Sequence, residues 1–187
     1  MKTTSVVIEI LIIGLQTIMW LALIVLSVFG YRWVRIDSGL LLALTLFVTA
    51  ISYTLGVLFD NLWNRLSKII DEPIRLKFFS VSEEAHSTRI NVLFNNKNAV
   101  EFMEYIRSRM RIARASFYNF FLITICALIF ITTQLQWVAA ELRIKLITFV
   151  IISGVLLTVL ALSTYRKIVH TYYKQISIIY KELVTKR

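Results

Sequence analysis

The chain has 187 residues, is 58% hydrophobic, and sets 21 Lys+Arg against 11 Asp+Glu for a formal charge of +10. A mean hydropathy of +0.72 is too apolar for a soluble domain of this size, and 17% charged with 13% aromatic residues excludes disorder. Five Gly, one Pro and one Cys exclude collagen-like and turn-rich β architectures, an intrachain disulfide framework and a cysteine-built metal site.

Four stretches lack Asp, Glu, Lys and Arg. They hold 22 residues between Glu9 and Arg32, 22 between Asp37 and Asp60, 26 between Arg114 and Glu141, and 20 between Lys145 and Arg166. At about 1.5 Å per residue, each reaches across a hydrocarbon layer about 30 Å thick. Runs such as Ile10–Leu15 and Leu40–Leu44 lack the alternation of a spanning β-strand. The first run could imitate a signal peptide. Its single preceding cation, Lys2, its length and the lack of an Ala-x-Ala site before Tyr31 instead predict a retained helix. The fold class expected is all-α, an integral membrane four-helix bundle with cytoplasmic helical extensions. Its parts are a first transmembrane hairpin at 1–62, a cytoplasmic helical segment at 63–114, a second transmembrane hairpin at 115–165 and a C-terminal cytoplasmic helix at 166–187.

Four spans put both termini and the 60–114 segment on one side, where 17 Lys+Arg lie; the two short loops hold four. The positive-inside rule makes the first side cytoplasmic. Aromatic side chains fall at both expected boundaries: Tyr31, Trp33 and Trp137 outside, Trp63, Tyr118 and Tyr165 inside.

Beyond Asp60, Leu62, Trp63, Leu66, Ile69 and Ile70 keep helical spacing, and Pro73 predicts a helix end near Asp71. Glu83–Phe94 reads as a short helix and Asn95–Asn98 as a turn. Asn98 and Glu101 have the spacing of a capping box, which starts a third helix that runs unbroken into the membrane. Tyr165, Val169, Tyr172, Ile176, Ile179 and Leu183 follow a 4-3 heptad seam, so the fourth helix continues into the cytoplasm. That seam packs either on the extensions of helices two and three or between subunits.

Three groups of residues carry candidate function. Glu9 and Asp60, with Arg114 and Arg166 at matching depth, form either an ion-pair ring fixing helix order or a selective, gating ring at a pore mouth. Thr45, Thr49, Ser52 and Gly56 form a small, partly polar stripe on the second helix, suited to close helix packing or to lining a pore. Gly154, Thr158 and Ala161 repeat that pattern on the fourth. Arg107, Arg109, Arg111 and Arg114 form a basic cluster, with Arg107, Arg111 and Arg114 on one face and Arg109 elsewhere. The cluster suits topology and anionic headgroups, a nucleotide or oligonucleotide, or a soluble protein partner. Gln16 and Asn119 are intramembrane polar groups that need partners inside the bundle. His86 and His170 are isolated, and no hydrolase or phosphate-loop motif occurs, so no catalytic residue, metal or cofactor is expected.

Leu55-Gly56-Val57-Leu58-Phe59-Asp60, and Tyr105-Ile106-Arg107-Ser108-Arg109-Met110-Arg111-Ile112-Ala113-Arg114 leading through to Asn119, resemble segments of small bacterial four-helix membrane proteins. Some of those are membrane effectors of nucleotide- or oligonucleotide-signalled antiviral systems. The resemblance implies a homo-oligomer whose basic cytoplasmic surface senses such a signal, and it supplies no catalytic motif. The function expected is a homo-oligomeric pore or channel-like protein regulated through its basic stem. The rival is a non-conducting scaffold or accessory subunit that anchors a soluble partner.

Overall fold

A computed structural model describes residues 3–32, 39, 41–79, 88 and 97–185. Among these, every regular element is helical: α1 Thr3–Phe29, α2 Leu41–Leu66, α3 Lys68–Arg75, α4 Lys97–Gln134 and α5 Ala140–Thr185. Helices α1, α2, α4 and α5 are each long and apolar enough to cross a membrane, and the chain is an all-α, multi-pass membrane protein. The expected short helix Glu83–Phe94 lies outside the described residues except for Thr88, as do Trp33 and the Asn95–Asn96 part of the predicted turn.

The ends of the helices follow local chemistry. Gly30 closes α1 with φ +77°, a left-handed conformation that costs glycine little, and its N–H donates to the Leu26 carbonyl. Five residues, Leu135–Ala139, turn α4 back into α5. At 38 and 46 residues, α4 and α5 run far past any bilayer on the side that carries both termini, the basic end of the molecule.

Two expected boundaries differ. The second helix breaks at Ser67, before Asp71, and the proline does not end the next one: Pro73 lies inside α3, which continues to Arg75. Ser67 closes α2 through its N–H to the Trp63 carbonyl, and its own carbonyl then accepts from Ile70 and Asp71. The missing proline N–H removes one bond, but Leu76 still donates to Glu72 and holds the last turn. Helix α4 starts at Lys97, one residue before the expected Asn98.

Helix α1 packs against α2 and α4, α5 packs along α4, and α3 lies on α5. The α1–α2 crossing is made by glycine. A Cβ on Gly14 would lie 1.7 Å from the Ser52 carbonyl oxygen, and one on Gly56 would lie 2.0 Å from that of Ile10. Only hydrogen in place of a side chain lets the two backbones come this close. Gly154 of α5 meets the Thr124 side chain of α4 in the same way. Phe149, Ile152, Val155, Leu156, Val159 and Leu160 of α5 stay exposed, as expected of a surface whose solvent is lipid.

The heptad seam packs within the chain. Tyr165, Val169, Tyr172 and Ile176 are buried, and Tyr172 and Ile176 join Phe79, Met103 and Ile106 in one apolar cluster. Ile179 is only half-buried, and the side chain of Leu183 lies outside those described. Ile176→Asp should therefore lower the melting temperature without changing the particle mass, since it places a carboxylate among these apolar side chains. Thermal melting with light scattering in detergent checks this; a lost oligomer with an unshifted melt would contradict the intrachain packing.

Candidate functional site

At the basic end of the spans the helices bring four charged groups together. Glu9 of α1 is buried, and Ser108 of α4 donates to its Oε1 at 2.5 Å. Arg111 lies 3.5 Å from Glu9 Oε2 and 3.8 Å from Asp60 Oδ2, and so bridges α1 and α2. Arg114, 5% exposed, donates to Asp60 Oδ1 at 2.7 Å and to Asn64 Oδ1 at 2.5 Å. Two carboxylates face two guanidiniums, so the cluster is formally neutral. It ties α1, α2 and α4 into one unit, as buried charges require.

The expected ring is thus formed by Glu9, Asp60 and Arg114 but not by Arg166, which is exposed and, among the described residues, makes no ion pair. The buried Tyr165 is the inward residue at this level of α5, and a helix turns about 100° per residue, which carries Arg166 outward. Arg111 takes its place. The basic cluster divides accordingly: Arg111 and Arg114 are committed to carboxylates, whereas Arg107 and Arg109 are exposed. Hydropathy and charge alone do not assign Asn64, Ser108 and Arg111 to the ring. Their spacing carries the signal, since Asn64 lies one turn after Asp60, and Ser108, Arg111 and Arg114 recur every three residues.

The aromatic side chains expected at the inner boundary face the bundle. Trp63 is buried and stacks on Tyr118 with ring centroids 4.7 Å apart and planes at 9°. Tyr165 donates to Asp71 Oδ1 at 2.5 Å. Burial pushes the Asp71 carboxyl above its usual 3.8, against the hydrogen bond from Tyr165 and the attraction of Arg114 and Arg75. The folded chain therefore holds this proton to higher pH than the unfolded chain does. Stability from this group is complete below about pH 4 and falls as pH rises through the elevated native value. Asp71→Asn keeps an acceptor for Tyr165 and should flatten that slope. Melting temperatures between about pH 4 and pH 7 test it, and an unchanged slope would refute the assignment.

Deeper in the membrane, Asn119 Nδ2 donates to Gln16 Oε1 at 3.3 Å, Gln16 Nε2 to Ser116 at 3.0 Å, and Trp20 Nε1 to Asn119 Oδ1 at 3.2 Å. The polar groups of α1 and α4 thus satisfy one another, as a span requires. The α2 stripe splits. Ser52 and Gly56 are buried in the α1 crossing, while Thr45 and Thr49 are exposed, their hydroxyls donating to the carbonyls of Leu41 and Thr45 at 2.8 Å. Among the described residues no three metal-ligating side chains converge. No protein-family model, curated protein or solved structure matches the chain.

Proposed function

We propose that this chain is the subunit of a homo-oligomeric, non-enzymatic pore of a bacterial inner membrane, with both termini and the 60–114 segment in the cytoplasm. The observation that supports this best is the one-sided packing of the spans. Helix α2 rests mainly on α1 and helix α5 mainly on α4, so each keeps an open flank that a second copy can meet. Among the described residues one chain alone offers no path, because Gln16, Trp20, Ser116 and Asn119 are spent on one another. Copies around an axis would do so, with Thr45 and Thr49 facing it and the Glu9, Asp60, Arg111 and Arg114 cluster at the inner mouth. Exposed Arg107 would meet an anionic nucleotide or oligonucleotide signal, the ligand class implied by the resemblance to antiviral membrane effectors.

Burial of Ser52 and Gly56 in the α1 crossing favours the second reading, a non-conducting scaffold that anchors a soluble partner through its stem. An ion-flux assay in liposomes separates the two. Flux that falls by more than half in Thr49→Trp, with the melt unchanged, supports the pore. Absence of flux with and without oligonucleotide, together with a soluble partner bound at defined stoichiometry, supports the scaffold.

A further inference from the structure

Between α4 and α5 runs an open groove of about 400 Å³. Its α4 wall includes Arg109, Ile112 and Phe120, and its α5 wall includes Leu157, Ala161 and Thr164. From Arg109 to Phe120 is three helical turns, about 16 Å along the axis. The walls are apolar along most of that length, and the single charge stands at the basic end.

Arg109 differs from its neighbours. Arg111 and Arg114 face carboxylates, but among the described residues Arg109 has none. It donates to the Tyr105 hydroxyl at 3.3 Å and lies 5.6 Å from that ring's centroid, which orients the guanidinium without neutralising it. It sits five residues before Arg114, after which the uncharged run opens. That is headgroup depth, where a long cationic side chain keeps its charge in the polar layer.

We propose that this groove binds an anionic phospholipid, one acyl chain lying between α4 and α5 and the phosphate on Arg109. The charge, its depth and the apolar length beyond it match that ligand together. A zwitterionic lipid fills the same groove but brings its own cation to the phosphate. The site does not depend on the pore reading, since it is complete within one chain.

The test uses the full chain in phosphatidylcholine nanodiscs containing phosphatidylglycerol, with retained lipid counted by native mass spectrometry after release. Wild type should retain phosphatidylglycerol over phosphatidylcholine by about fivefold. Arg109→Gln should remove that preference, Arg109→Lys should keep most of it, and Ala161→Trp should reduce retention of both lipids. Lys145→Gln, a change of equal charge at the opposite end, should leave the preference intact. Three results would overturn the site: no preference in wild type, equal losses in Arg109→Gln and Lys145→Gln, or a disulfide between two copies through Thr164→Cys in a Cys126→Ala background. The last would mean that a second copy fills the groove. If Ala161→Trp does not fold, the three Arg109 and Lys145 variants decide alone.

Discussion

Gly14→Ala is expected to cost about 3 kcal/mol or to abolish the folded state in detergent, although alanine is the better helix former. The new Cβ would stand 1.7 Å from the Ser52 carbonyl oxygen and 2.4 Å from the carbonyl carbon. Both are backbone atoms and cannot turn away, so α1 and α2 must separate. The approach of Gly56 to Ile10, on the same crossing, would open with them. Between spans in lipid, close contact is the main attraction, because burying apolar surface there gains nothing over the acyl chains. Gly39→Ala is the control, since an added Cβ there meets nothing within 4 Å. Thermal melting of both variants in one detergent checks the claim. Equal melting temperatures for Gly14→Ala and wild type would refute the crossing.

The second large effect concerns Arg114. Arg114→Met preserves length and removes the charge, which leaves Asp60 and Asn64 without their donor. Breaking a buried pair by removing one partner costs about 3 kcal/mol. The Asp60 side chain is 22% exposed and Arg111 remains 3.8 Å away, so the loss should not exceed this. Adding Asp60→Asn to Arg114→Met should recover part of it, because no uncompensated carboxylate then remains. Arg114→Lys should fall between, since one ammonium lacks the planar fork that reaches two acceptors. A double-mutant cycle by thermal unfolding measures the coupling. Additive losses would show that the pair carries no specific energy.

Legibility differs from residue to residue. Uncharged runs of 20 to 26 residues reveal four spans because hydrocarbon tolerates neither unpaired backbone nor frequent charge. The 4-3 spacing from Tyr165 to Ile176 marks a seam because a buried stripe must recur at helical period. Neither feature says what lies opposite. That the seam meets Phe79, Met103 and Ile106 depends on how the chain returns after α3. Gly56 and Thr49 look alike on one stripe, yet one faces α1 and the other faces outward, because α1 crosses α2 over only part of its length. Arg107, Arg109, Arg111 and Arg114 look like one basic patch, yet two of them close on carboxylates more than 45 residues away in sequence.

Local hydropathy and charge, read along the chain, are enough for the helical class, the number of spans and the shared side of the two termini. Each of these depends on what a single segment can bury or cannot afford to leave in lipid. Which cations are neutralised, which small residues mark crossings and where an apolar groove ends in a charge emerge only once the helices are assembled. Those are pairings between helices, and pairing energy depends on distances that no single segment contains.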